Sequence, residues 1–101
     1  MISEITIRKV RELAIEDVLS PYVRLSRKGS TLMGLCPFHS EKAGSFAVTP
    51  SKNLFHCFSC NRGGDSITFI MEKENLSFSA AVEFIARNHN IPVEYILSLI
   101  H

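Results

Sequence analysis

The amino-acid sequence predicts an α+β domain in which a small antiparallel β-sheet occupies the middle of the chain and helices flank it at both ends. Apolar residues recur at three- and four-residue steps near both termini, which is typical of amphipathic helices. In the middle of the chain the period shortens to two, and short apolar runs alternate with turn residues. The length of 101 residues fits a single domain over 1–101, with the sheet at about 22–64.

The first predicted element is one helix, or two short ones, from about Thr6 to Leu19. Ser3 is a suitable N-cap, and Pro21 ends the helix because the residue before a proline avoids helical backbone angles. Periodicity leaves open a break near Ala14. The apolar positions that carry the pattern are Ile7, Val10, Ala14, Val18 and Leu19.

Four strands are predicted next, at about 22–28, 31–35, 45–49 and 54–57, with turns at 28–30 and 50–53. Alternation places Phe46 and Val48 on one face of the sheet, and Ser45, Ala47 and Thr49 on the other. The sequence leaves open which of the two faces the helices cover.

The second and fourth strands each lead into a pair of metal-binding side chains. Cys36 and His39 form C-x2-H, seventeen residues follow, and Cys57 and Cys60 form C-x2-C. A tight turn points residues i and i+3 the same way, so the two pairs can complete a tetrahedral Cys3His shell, which is typical of one closed, structural Zn²⁺ site. Three cysteines without a secretory signal also fit a reducing cytoplasm better than disulfides.

Two ligand pairs on antiparallel strands indicate a zinc ribbon and not a ββα finger, which would need a helix that ends in two spaced histidines. Zinc-dependent catalysis is disfavoured, since four protein ligands leave no open position for water and the chain has no HExxH or H-x-E motif.

Helices return after Cys60. Asp65 or Ser66 is predicted to cap the first, which ends near Asn75, and Ser77 or Ser79 caps the next, which ends before Pro92. A short last helix is expected at 93–100. Gly63 and Gly64 are expected to leave the metal turn through positive φ angles.

The net charge is only +1, but basic residues concentrate in the predicted sheet. Between Tyr22 and Gly64 the sequence has one acid, Glu41, against six basic residues, which are Arg24, Arg27, Lys28, Lys42, Lys52 and Arg62. This segment is either a solvated basic surface or a surface that faces phosphates, and we favour the second interpretation.

The same segment closely resembles the N-terminal zinc-binding domain of bacterial DnaG-type DNA primases. The resemblance rests on CPFHSEK at 36–42, SFAV at 45–48, FHCFSC at 55–60 and GDSI at 64–67, and it extends into both flanks. The chain departs from the family pattern at Ala43-Gly44, where the family has Thr-Pro, and at Ser59 and Asn61, where it has glycines.

The resemblance implies a zinc ribbon that helps to bind the single-stranded DNA template and to select where the RNA primer starts. It also implies that catalysis belongs to a separate Toprim-type domain with a D-x-D pair, which this sequence lacks. We therefore expect no catalytic residue in the chain, and we expect as partners single-stranded DNA, a primase catalytic domain in cis or in trans, and a replicative helicase.

Single strands are held by cations along the phosphates and by aromatic faces on which bases stack. The predicted nucleic-acid-binding residues combine both kinds of group: Arg27, Lys28, Lys42, Phe46, Lys52, Phe55, His56 and Arg62. Core packing is a competing role for Phe46, Phe55 and Phe58, while Phe38 and Phe58 are expected to shield the metal. The alternative function is a protein-interaction ribbon of a mobile-element or phage replication protein, with little DNA contact of its own. No apolar run is long enough for a membrane span.

Overall fold

The computed structural model describes residues 2–38 and 45–96 and confirms the α+β architecture. Within these ranges, five strands form one antiparallel sheet in the order β1-β2-β3-β4-β5. The strands are β1 Ser26–Lys28, β2 Thr31–Gly34, β3 Phe46–Thr49, β4 Leu54–Cys57 and β5 Gly63–Gly64, and the helices are α1 Glu4–Glu12, α2 Ile15–Leu19, α3 Ser66–Glu74 and α4 Phe78–Asn88. None of the helices in the described ranges is long and apolar enough to cross a bilayer.

The N-terminal pattern resolves into two helices. Leu13 and Ala14 are extended, with ψ angles of 143° and 124°, and they separate α1 from α2. Ser3 caps α1 as predicted, because its hydroxyl accepts a hydrogen bond from the backbone N–H of Thr6.

Asn53, in the turn between β3 and β4, fixes the two N-terminal helices to the sheet. Its side-chain oxygen accepts a hydrogen bond from the N–H of Ile15 at 2.9 Å, and its amide donates to the carbonyls of Arg11 and Leu13 at 3.0 and 2.9 Å. The residue adopts a left-handed conformation, with φ of 58°, which asparagine tolerates better than most residues. The sequence predicted this asparagine as a turn residue only.

We expect Asn53→Ala to lower the free energy of unfolding by about 4–5 kcal/mol, since it removes three hydrogen bonds of about 1 kcal/mol each and places alanine at a positive φ, which costs ~1–2 kcal/mol. Asn53→Gly should be less destabilising than Asn53→Ala, because glycine accepts the positive φ, but it still lacks the three hydrogen bonds. Asn75→Ala is the matched control, because Asn75 has a similar φ of 56° at the end of α3. Urea titrations of the three variants measure the effect, and equal losses for Asn53→Ala and Asn75→Ala would contradict it.

The hydrophobic core lies between one face of the sheet and helix α3, and helices α1, α2 and α4 pack around α3. Phe46 and Phe69 are both fully buried, and their ring centroids are 6.0 Å apart at an interplanar angle of 67°. Phe69 also meets Phe55 edge to face at 5.4 Å and Tyr22 at 5.5 Å. The helices therefore cover the Phe46 and Val48 face, which settles the question that alternation left open.

Tyr22 connects the segment before β1 to α3. Its hydroxyl donates a hydrogen bond to the Glu74 carboxylate at 2.8 Å. Burial, with the hydrogen bond and the negative charge of Glu74, raises the pKa of Tyr22 to about 12, so the phenol stays neutral and keeps this contact across the physiological range.

The predicted boundaries differ from the structure at β1 and at β5. The first strand begins at Ser26 and not at 22, because residues 21–23 form a turn after α2. Gly63 and Gly64 form the fifth strand, which pairs with Phe55 and His56 and was not predicted. Gly64 has a φ of 148°, and a Cβ there would lie 2.9 Å from Thr68, so its glycine permits both the backbone angle and the close approach of α3.

The C-terminal segment returns along α1. The expected helix at 93–100 is wrong over 93–96, where the chain has no helical structure and Tyr95 forms a bridge with Ile2; residues 97–100 lie outside the described part. The buried hydroxyl of Thr6 accepts a hydrogen bond from the N–H of Glu94 at 2.9 Å. These tertiary contacts hold the segment extended, although its apolar spacing favours a helix.

Candidate zinc centre and open sheet face

Three thiols come together at one end of the sheet. The Sγ atoms of Cys36, Cys57 and Cys60 all lie within 4.8 Å of one another, and those of Cys36 and Cys60 are 3.7 Å apart. Cys36 and Cys57 are buried, and Cys60 is partly exposed. A metal ion could be held by this group.

Strands β2 and β4 position Cys36 and Cys57, as the sequence predicts. Cys36 lies two residues after the end of β2, and Cys57 is the last residue of β4. The chain then turns tightly, with the N–H of Asn61 donating to the carbonyl of Cys57 at 2.8 Å and the N–H of Cys57 donating to the carbonyl of Arg62 at 2.8 Å. Asn61 takes a φ of 60°, so asparagine fills the left-handed position at the end of this turn.

The donor set fits zinc. Zn–S bonds of about 2.3 Å at tetrahedral angles place two thiolates about 3.8 Å apart, and the observed Cys36–Cys60 separation is 3.7 Å. Burial, with the neighbouring thiols of Cys57 and Cys60, raises the pKa of Cys36 to about 12, although a backbone hydrogen bond opposes the shift. A divalent cation would supply the positive charge that three clustered thiolates need.

The fourth predicted ligand, His39, lies outside the described residues, as does Lys42. The complete set of Cys36, His39, Cys57 and Cys60 is therefore still a prediction.

Aromatic side chains join the thiol cluster to the core. The half-buried ring of Phe38 meets Phe69 edge to face at 5.2 Å and lies 6.3 Å from Phe55. The guanidinium of Arg62 lies 5.0 Å from the centre of the Phe38 ring, and it pairs with Glu72 at 3.6 Å. The position of Phe38 is consistent with the predicted shielding of the metal. Phe58 is 69% exposed and does not belong to the hydrophobic core.

Two predicted nucleic-acid contacts are wrong. Phe46 is 0% exposed and Phe55 is 3% exposed, and their rings stack on each other with centroids 5.5 Å apart. Neither ring has a free face for a base, because α3 packs against both through Phe69.

The predicted cations lie on different sides of the sheet. Arg27 pairs with Leu32, which pairs with Val48, so its position belongs to the face that the helices cover. Arg62 is engaged by Phe38 and Glu72 near α3. Lys52 is exposed in the turn between β3 and β4.

Lys28 and His56 lie on the opposite face, which we call the open face. Register defines it: Ser26, Met33, Ala47, His56 and Gly63 form one cross-strand row, and Lys28, Thr31, Thr49 and Leu54 occupy the alternate positions. Of these side chains, Ser26, Lys28 and Leu54 are exposed, and Met33 and His56 are partly exposed.

Sequence reasoning missed two members of the open face. Phe58 continues the alternation of β4, and its ring meets His56 edge to face at 4.7 Å. Arg24 lines a groove with Ser26 and Lys28. The alternation of 54, 56 and 58 and of 24, 26 and 28 was visible in the sequence, but it does not reveal which face remains open.

The chain is similar to a known family over almost its whole length. Residues 2–98 match the model described as CHC2 zinc finger. A DNA primase of Streptomyces coelicolor is 47% identical over 96 residues, which are 93% of this chain and 15% of that protein. A DNA primase of Helicobacter pylori is 46% identical over 88 residues, covering 87% of this chain and 16% of that protein.

A solved structure has the same fold. The crystal structure of the Aquifex aeolicus primase, with its zinc binding and RNA polymerase domains, matches with a TM-score of 0.80 and 37% identity, over 95% of this chain and 24% of that one. The chain thus spans about a sixth of the length of the curated relatives named above.

Proposed function

Because this chain belongs to the CHC2 zinc finger family, we propose that it is the zinc-dependent DNA-binding module of a bacterial DNA primase, which contacts the single-stranded template and helps to start the primer during DNA replication in the cytoplasm. Polymerisation itself belongs to a separate catalytic domain, in cis or in trans. The Aquifex relative contains an RNA polymerase domain beside its zinc binding domain, which supports this division.

The open face is the observation that carries the proposal. The sheet is covered by helices on its Phe46 face, while on the other face Lys28 and Leu54 are exposed and His56 is partly exposed. No acidic side chain occupies the cross-strand rows of this face in the described strands. A polyanion can therefore approach it without charge repulsion from the strands.

Phe58 and His56 supply the aromatic part of this surface. Phe58 is 69% exposed, so most of its ring is accessible to a ligand. The rings of His56 and Phe58 meet with centroids 4.7 Å apart at an interplanar angle of 67°, and the exposed part of the Phe58 ring is free to stack on a base. Lys28, three strands away on β1, provides positive charge for phosphates.

In this proposal the role of zinc is structural. Cys36, Cys57 and Cys60, with His39, would hold the ion, and the ion would tie the end of β2 to the end of β4. Both strands contribute to the open face, through Met33 and His56. Zinc thereby keeps the DNA-binding surface in shape and takes no part in the reaction.

We expect Phe58→Ala to weaken the binding of single-stranded DNA by about five- to 150-fold, since stacking of one base contributes ~1–3 kcal/mol. Phe78→Ala is the control, because Phe78 is also exposed, at 38%, but begins α4 on the other side of the sheet. Fluorescence anisotropy with a labelled oligothymidylate measures both, and affinity should fall steeply with salt.

Two results would count against the proposal. One is the absence of binding to single-stranded DNA at ~50 mM salt, where electrostatic binding is strong. The other is an equal effect of Phe58→Ala and Phe78→Ala. DNA binding that is absent, together with binding to a polymerase domain or a helicase, would favour the alternative of a protein-interaction ribbon.

A further inference from the structure

A groove of about 700 Å³ lies on the open face over β1 and β2. It is lined by Arg24, Ser26, Lys28, Met33, Gly34 and Leu35. Two of these residues are cationic and none is acidic. One of its lining residues, Leu35, directly precedes Cys36 in the sequence.

The walls and the floor of the groove differ in chemistry. Arg24, Ser26 and Lys28 alternate along one segment, so their side chains share a side and form a wall with a cation at each end. Met33 is partly exposed and Leu35 is 51% exposed, and they form an apolar floor. Exposed apolar surface of this kind, bordered by polar groups, is typical of a binding site.

The shape of the groove depends on Gly34. A Cβ at this position would lie 2.5 Å from the backbone oxygen of Arg24 and 3.1 Å from Val23. Glycine therefore permits the segment before β1 to run close to β2, and this approach places Arg24 beside Met33 and Leu35.

We propose that this groove seats one unpaired base of the template, with the base on Met33 and Leu35 and the neighbouring phosphates on Arg24 and Lys28. The inference rests on the proposed function and adds a second contact site, two strands away from His56 and Phe58. A ligand with a flat apolar part between two negative charges matches the groove, and a nucleotide within a single strand has this form. A duplex keeps its bases stacked and paired, so the groove selects single strands.

The first test reverses the charge of two cations in the groove and, separately, of two cations outside it. The double variant Arg24→Glu/Lys28→Glu should bind oligothymidylate at least about tenfold more weakly, and the slope of log affinity against log salt should fall by about 1.4 for two lost phosphate contacts. Arg8→Glu/Lys9→Glu is the control, because both residues are exposed on α1, away from the groove, and the change in charge is the same. Its effect should be small.

The second test separates the base from the phosphates. Met33→Ala should weaken binding to oligothymidylate several-fold and leave binding to an abasic oligomer of the same length unchanged. Zinc content and circular dichroism establish that each variant is folded, and Lys28→Ala replaces the double variant if charge reversal prevents folding.

The groove inference is overturned if Arg24→Glu/Lys28→Glu binds DNA as well as Arg8→Glu/Lys9→Glu does, or if Met33→Ala affects both oligomers equally. If the wild type binds DNA and Phe58→Ala weakens it, those results refute the groove alone and leave the proposed function in place. Failure of the wild type to bind any single strand refutes both.

Discussion

Cys57→Ser is expected to abolish zinc binding and, with it, the cooperative unfolding transition of the domain. Cys57 is fully buried at the end of β4, and its sulfur belongs to the cluster with Cys36 and Cys60. Structural zinc contributes about 10–16 kcal/mol in small metal domains, which equals or exceeds the ~5–15 kcal/mol by which a typical domain is stable. The sheet should therefore lose its ordered strands when the metal is lost.

Circular dichroism melts and metal analysis by mass spectrometry measure this effect. Ser59→Ala is the control in the same turn, because Ser59 is exposed and only its hydroxyl, 2.7 Å from that of Ser45, is removed. This variant should lose about 1 kcal/mol of unfolding free energy and retain zinc. A Cys57→Ser protein that keeps one zinc ion and melts like the wild type, or a wild-type melt that a strong chelator leaves unchanged, would show that zinc has no structural role.

Phe69→Ala is expected to lower the free energy of unfolding by about 3–5 kcal/mol, the usual range for deletion of a buried phenylalanine. Phe69 has no exposed surface, and its ring meets Phe46, Phe55, Phe38 and Tyr22 at centroid distances of 5.2–6.0 Å. It connects α3 to the covered face of the sheet, and through Phe38 it supports the turn that follows Cys36. Zinc affinity should consequently fall together with stability.

The matched control is Phe78→Ala, which removes the same ring from a site that is 38% exposed. We expect a loss of about 1 kcal/mol there, since substitutions at partly exposed sites cost less. Urea unfolding monitored by circular dichroism gives both values. If Phe69→Ala costs no more than Phe78→Ala, the packing of α3 on the sheet is not the main source of stability.

Local signals predicted most of the fold. Ser3, Asp65 and Ser77 cap the helices that follow them, as the sequence indicates. The zinc motif and the strand period placed β2, β3 and β4 within one residue. These features depend on interactions between residues close in sequence, which the pattern of residue types records directly.

Features that depend on tertiary contact were not predicted. The strand at Gly63 and Gly64 forms by pairing with β4, and the C-terminal segment is extended because the Thr6 hydroxyl accepts a hydrogen bond from the N–H of Glu94. Asn53 joins elements about 40 residues apart in sequence. Periodicity contains no information about any of these partners.

The same limit explains the errors at the candidate interface. A two-residue period assigns side chains to the two faces of a strand, but the position of the helices decides which face is buried. Phe46 and Phe55 were therefore placed on a DNA surface although they form the core, and Phe58 was expected to pack in the core or to shield the metal although it is exposed. The burial of these three rings shows which belong to the core. Of the predicted nucleic-acid-binding residues, Lys28 and His56 lie on the open face.

The zinc dependence of DNA binding tests the central claim most directly. Anisotropy of a labelled oligothymidylate is measured with zinc-loaded protein and with the same protein after chelation, at one salt concentration. We predict tight, salt-sensitive binding by the zinc-loaded form and loss of binding after chelation, in parallel with the loss of the strand signal in circular dichroism. Equal binding by both forms would contradict a surface that zinc holds in shape.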